Sequence, residues 1–189
     1  SENGEIGIGA SYEYSPDNYY IDYDTLNGET YVKDIMRSFS REVGTNEYDL
    51  YLTVQQKWGN FVLKPGIRME YERLWSNISG YETVNQTEDY LNWRPSIHIS
   101  YRTKSMHNFS LSYSRRIAPP GARDITSFKF YSTESFSTGN PDLLPTYTNS
   151  VEGGWTKYWN KFGSVGLTAY YRDSRNTVDN ISDVIYDDF

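Results

Sequence analysis

With two histidines and no cysteine in 189 residues, the chain holds few imidazoles and no thiol to act as base or nucleophile. Thiolate catalysis, thiolate metal sites and disulfides are excluded at once. His98 stands between Arg94 and Arg102 on an alternating stretch, which suits a solvated or hydrogen-bonded histidine better than a catalytic base. His107 falls in a short turn. A Ser–His–Asp site needs three groups converging on one point, and no motif announces one. Glu70 and Glu72 are two apart, so on a strand they share a face, as a general acid and base would. Arg68 shares that face too, and salt bridging is the commoner use of such a trio. Asp17, Asp22 and Asp24, and again Asp183, Asp187 and Asp188, offer the oxygen ligands that Ca2+ takes, but their spacing matches no cation loop. No catalytic group, cofactor or metal is nominated, the ligand-binding residues stay unknown, and an enzyme is not expected.

The elements that carry these residues are strands. Seven segments alternate apolar and polar with a period of two, the mark of a strand between unlike environments. Ile6, Ile8, Ala10, Tyr12 and Tyr14 oppose Gly7, Gly9, Ser11 and Glu13. Leu50, Leu52 and Val54 oppose Tyr51, Thr53 and Gln55. The longest run sets Phe61, Leu63, Pro65, Ile67, Met69 and Tyr71 against Lys64, Arg68, Glu70 and Glu72. Trp93, Pro95, Ile97, Ile99 and Tyr101 oppose Arg94, Ser96, His98, Ser100 and Arg102. Phe109, Leu111 and Tyr113 follow, then a segment near Tyr147 to Tyr158, then Val165, Leu167, Ala169 and Tyr171. Pro65 and Pro95 sit inside segments, where a ladder donor is lost, so a bulge or an edge is expected at each.

The connections have a rhythm. Short turns fall near Gly59, Ser105 and Lys161; long polar loops are predicted at 16–45, 76–88, 117–146 and from Asp173 onward. In an antiparallel meander this puts every short turn at one rim and every long loop at the other, as an outer-membrane barrel does. Each segment is long enough for a tilted membrane span. Tyr12, Tyr14, Trp58, Tyr71, Trp75, Trp93, Tyr101, Trp155, Trp159 and Tyr171 lie near segment ends, where aromatic girdles sit. There is no run of about 18 apolar residues for a transmembrane helix. The net charge of -7 argues against a nucleic-acid partner.

Two blocks in the fifth and sixth segments carry a resemblance. SYSRRI, Ser112 to Ile117, leads into a Pro-containing loop, and GNPDLLPTYTNSVEG, Gly139 to Gly153, opens the next strand. Together they resemble the barrel region of TonB-dependent outer-membrane receptors, closest to the outer-membrane β-barrel proteins of Bacteroides-type bacteria. Leu144 and Thr146 stand where that pattern more often has Lys and Glu, and Gly153 where it has Leu. In physical terms, Gly139 and Asn140 before Pro141 favour a turn, and the two prolines hold Asp142 to Leu144 extended. That device returns the chain from an outer loop to the wall.

The resemblance implies an all-β, antiparallel up-and-down transmembrane barrel, seen here as a partial barrel of about seven to eight strands over residues 1–189. Its plug domain and C-terminal closing strand are not recognisable in this stretch. It further implies uptake of a scarce nutrient (siderophore, glycan or peptide) at the outer membrane of a Gram-negative bacterium. The implied partners are outer-membrane lipid, a TonB-type energy-coupling protein acting through a plug, and a surface lipoprotein. A barrel without energy coupling, porin-like or adhesin-like, and a soluble β-sheet glycan-binding module are the rival expectations.

Overall fold

The computed structural model describes residues 4–159 and 161–184. Seven long strands form one antiparallel sheet: β1 (Gly4–Ile21), β4 (Phe39–Trp58), β5 (Phe61–Ser79), β6 (Thr83–Arg102), β7 (His107–Ala118), β10 (Thr146–Trp159) and β11 (Gly163–Arg175), hydrogen-bonded in that order. Between them lie two small hairpins, β2 (Asp24–Asn27) with β3 (Thr30–Lys33) and β8 (Phe130–Tyr131) with β9 (Phe136–Ser137), and one short helix, α1 (Ala122–Ile125). Every long strand pairs with its sequence neighbours, so the wall is an up-and-down meander. No helix is long and apolar enough to cross a membrane, which leaves crossing by strands untouched.

Register settles which residues share a face. Val54, Leu52, Leu50 and Tyr48 of β4 oppose Ile6, Ile8, Ala10 and Tyr12 of β1. On the other side Leu52, Leu50 and Tyr48 oppose Ile67, Met69 and Tyr71 of β5. This face is apolar yet exposed: Ile8 is 81% and Leu167 70% accessible. A contiguous exposed apolar face counts against the soluble module and suits contact with lipid. The opposite face carries Thr53, Arg68, His98, Ser112 and Ser114, which in a barrel line the lumen.

Aromatic rings edge the apolar band. At one rim Trp58 stacks on Phe61, and Phe61, Tyr101, Phe109 and Trp155 follow one another across the ladders. At the other Tyr12, Tyr48 and Tyr71 form a row with centroids 4.9 and 6.1 Å apart. Tyr71 stands ten residues beyond Phe61 on β5; at ~3.3 Å per residue and a tilt near 40° that is a height of about 25 Å, the apolar belt of an outer-membrane barrel. Tyr14 and Trp75 lie past the tyrosine row, two and four residues outside the belt.

The tight turns of the aromatic rim are where the alternation put them, with positive φ at Gly59, Met106 and Gly163. The long connections differ from expectation. Residues 16–45 are not one loop: β1 runs on to Ile21 and β4 begins at Phe39. Residues 76–88 are hardly a loop at all, since β5 continues to Ser79 and β6 starts at Thr83. These extensions lie beyond the apolar belt, with water outside and the β7–β10 connection inside, so their sequences lack the apolar alternation that lipid contact writes into a strand. After Arg175 the chain bends at Asn176 and has no helix or strand to residue 184. The eighth strand that the sequence count allowed for is not formed in residues 176–184, and residues 185–189 lie outside those described.

Neither proline makes a bulge. At Pro65 the β4 pairing lapses opposite Val54 and Gln55 and resumes in the same register. Pro95 stands where the β6–β7 ladder ends, at Ser96 opposite Ser114, so above it β6 is paired with β5 alone.

Candidate functional site

The outer mouth of the wall holds nearly all of the buried side chains. The connection from β7 to β10 folds back over the lumen face instead of standing away from it. Ala122 and Ile125 of α1 pack on Leu74, with Val43, Tyr90 and Leu143 around them. Phe128 is wholly buried, ringed by Phe39, Phe130 and Tyr81 at centroid distances of 5.6, 5.1 and 5.1 Å. The Tyr81 hydroxyl donates to Glu82 at 2.8 Å and accepts the Lys129 N–H at 3.3 Å, tying the β5–β6 tip to the loop. Burial, then the Glu82 hydrogen bond, pushes that phenol up to about 12. Each fully buried Ile or Phe contributes about 1.5–3 kcal/mol, so this loop is a fixed roof.

GNPDLLP returns the chain to the wall as its residues suggested, but Asp142 is not extended: Pro141 and Asp142 form a turn closed by the Leu143 N–H on the Asn140 carbonyl at 3.3 Å. The Gly139 N–H donates to the Thr126 carbonyl at 2.8 Å and the Asn140 N–H to the Asp124 carbonyl at 2.6 Å. A Cβ on Gly139 would run into the Asp124 carbonyl, so only glycine fits this approach. Asn140 Oδ1 accepts the Asp142 N–H at 2.9 Å, Leu143 turns into the roof core, and Pro145 delivers the chain to β10 at Thr146.

Beneath the roof a charged network spans four strands. Arg68 holds Asp49 through two nitrogens, Nε at 2.7 Å and Nη2 closer still, and reaches Glu47 at 3.4 Å and Glu70 at 3.9 Å. Ser11 donates to Asp49 at 3.0 Å. Arg94 bonds Glu70 and also donates to the Ile117 carbonyl at 2.8 Å. Glu47, Asp49 and Glu70 bring carboxylate oxygens within 4.8 Å of one another, the one such grouping among the described residues. A cation there would have to displace the doubly bonded Arg68, so the arrangement is an ion network in which three carboxylates face two guanidiniums.

Of the residues singled out in the sequence, Glu70 thus takes the salt-bridge role, with Arg94 as its closer partner; Glu72 joins no ion pair among those described. His98 lies exposed on the lumen face, opposite Lys64 and Ser112. His107 is the first residue of β7 and not a turn residue: its Nδ1 accepts the Trp155 indole N–H at 3.0 Å, and its ring stacks on Trp155 and Phe109 at the aromatic rim. Asp22 pairs with Lys33 at 2.6 Å, while Asp17 and Asp24 are exposed on separate strands and do not converge. Asp187 and Asp188 lie outside the described residues. Glu47 and Asp49 were missed, although their odd positions on a strand whose even positions are apolar put them on the face of Arg68 and Glu70. On the lipid side, just beyond the tyrosine row, Arg73 grips Asp89 at 2.7 and 3.0 Å. That grip and the Tyr71 hydroxyl hold the Asp89 carboxyl down to about 2.

An exposed apolar belt of about 25 Å between aromatic rows, a polar inner face and tight turns at one rim define a wall segment of a transmembrane β-barrel. The chain belongs to the Outer membrane protein beta-barrel family, whose model matches residues 1–188. That membership puts it in the outer membrane of Gram-negative bacteria. No curated relative matches the chain.

Proposed function

We propose that this wall belongs to an energy-coupled importer, in which outward loops capture a scarce nutrient and a TonB-type protein acts on a plug in the lumen. The carrying observation is the mouth itself. A rigid roof with its own core and a charged lumen face beneath it suit selective capture better than free diffusion. The resemblance of Ser112–Ile117 and Gly139–Gly153 to TonB-dependent receptors supports the same reading. Open strand edges are costly in lipid, so the edges of β1 and β11 suit pairing with further strands of the wall. Its chemistry is binding and passage, not catalysis, and a surface lipoprotein would be a natural co-receptor.

The test is uptake by cells carrying the whole protein, with and without the TonB-type protein, on siderophore, glycan and peptide as separate nutrient sources. Uptake of one of these should vanish without energy coupling. Uptake that survives its loss would instead establish a passive barrel.

A further inference from the structure

Above Pro95 the wall has a seam. β6 and β7 pair from Ser96 opposite Ser114 down to Arg102 opposite Asn108, and residues 83–95 of β6 have no partner in β7. The side of β6 turned away from β5 therefore presents alternate N–H and C=O groups, and among the described residues no backbone hydrogen bond from another segment reaches them. The Pro141–Pro145 segment runs past this edge and encloses with it a groove of about 390 Å3.

The lining of this groove is acidic. Glu88, Asp89 and Asp142 contribute carboxylates, and no basic side chain lines it. Asp89 is taken by Arg73, but neither Glu88 nor Asp142 has a cation within ion-pair distance among the described residues. Asn92, also in the lining, is only 3% exposed, and its Nδ2 has no hydrogen-bond partner. A buried donor without an acceptor is costly, and it marks a place where an incoming oxygen is favoured.

We propose that the groove takes an extended, basic peptide segment of a partner protein, added as a strand to the free edge of β6. Main-chain hydrogen bonds to the edge supply affinity. Lys or Arg side chains two residues apart, about 7 Å along a strand, meet Glu88 and Asp142, and an oxygen of the peptide accepts from Asn92 Nδ2. A sugar lacks the alternating donors and acceptors that an open strand edge offers. The proposal does not depend on energy coupling.

The experiment uses the full-length protein in detergent and three fluorescently labelled heptapeptides. One alternates Lys with Thr and Val, one replaces Lys by Glu, and one is the Lys peptide N-methylated at alternate residues. The Lys peptide should bind and weaken with added salt, the Glu peptide and the methylated peptide should not, and E88Q/D142N should cost about tenfold in affinity. Heat-modifiable mobility of the variant checks that its barrel still folds. Equal binding of the Lys and Glu peptides, undiminished binding of the methylated peptide, or no peptide binding at all overturns the proposal.

Discussion

Below the row Tyr12–Tyr48–Tyr71 and above it, the same strands are held by different means. In the lower wall the ladders are nearly complete except between β6 and β7, which part above Ser96; the outward side chains are apolar and exposed, and the inward ones are small or polar. Its outward side chains are not covered by protein, because lipid is the partner, and its buried groups are polar: Asp49, Glu70 and Asn92, just inside the tyrosine row. Above the row the outer sides stand in water, and stability comes from a small core in which Ala122, Ile125 and Phe128 of the β7–β10 connection join Leu74, Ile78 and Ile117 of the strands. One polypeptide thus obeys two solvents, and the change of rule falls at the tyrosines.

The sharpest way to separate the two regions is to empty the upper core. Phe128→Ala should cost the roof about 3–5 kcal/mol and leave the lower wall untouched. Hydrogen exchange would read this as lost protection over residues 120–145 with unchanged protection in β4 and β5. Should both regions lose protection together, roof and wall are one cooperative unit and the division is wrong.

A charge in the belt probes the lower region. Leu52→Arg, near mid-height on the lipid face, should destabilise the inserted protein by about 2–4 kcal/mol, while Thr53→Arg one residue away on the lumen face should cost little. Folding yields into lipid vesicles give the comparison, and equal losses would refute the assignment of faces.

The smallest effect is one of pH. The Tyr81 phenol is raised in the folded state to about 12, so its neutral form is favoured there. Its contribution is whole below the ordinary tyrosine value near 10 and disappears as pH climbs through about 12. Proteolysis of the 119–145 connection should therefore quicken over that window, with the wall resistant throughout and Tyr81→Phe showing no such step.

The lower wall was largely legible in the sequence, because a strand between lipid and lumen writes its two environments into alternate residues. Leu50, Leu52 and Val54 against Tyr51, Thr53 and Gln55 is that script, and the turns at Gly59, Ser105 and Lys161 punctuate it. The upper wall was not legible. TVNQTEDY, the start of β6, is polar on both faces, so a strand there reads as a loop. The roof core draws Leu74 and Ile78 from β5, Ile117 from β7, Ala122 and Ile125 from α1 and Phe128 from the loop beyond, and no local period joins them. The ion network was half visible, in Arg68 and Glu70, and needed the β4–β5 register to bring in Glu47 and Asp49. Gly139 and the two prolines were read correctly as architecture, yet only the fold reveals that the segment they shape lies beside an open strand edge.

The β5–β6 hairpin has a mechanical consequence. It reaches past the belt as a paired ribbon closed by the three residues Gly80–Glu82, anchored below by full ladders and fastened above to the roof through Tyr81 and Phe128. Such a ribbon has the build of a cantilever: a load on the roof would be carried as bending at the belt, not as rotation about a flexible joint, because no loop separates the roof's anchor from the paired strands.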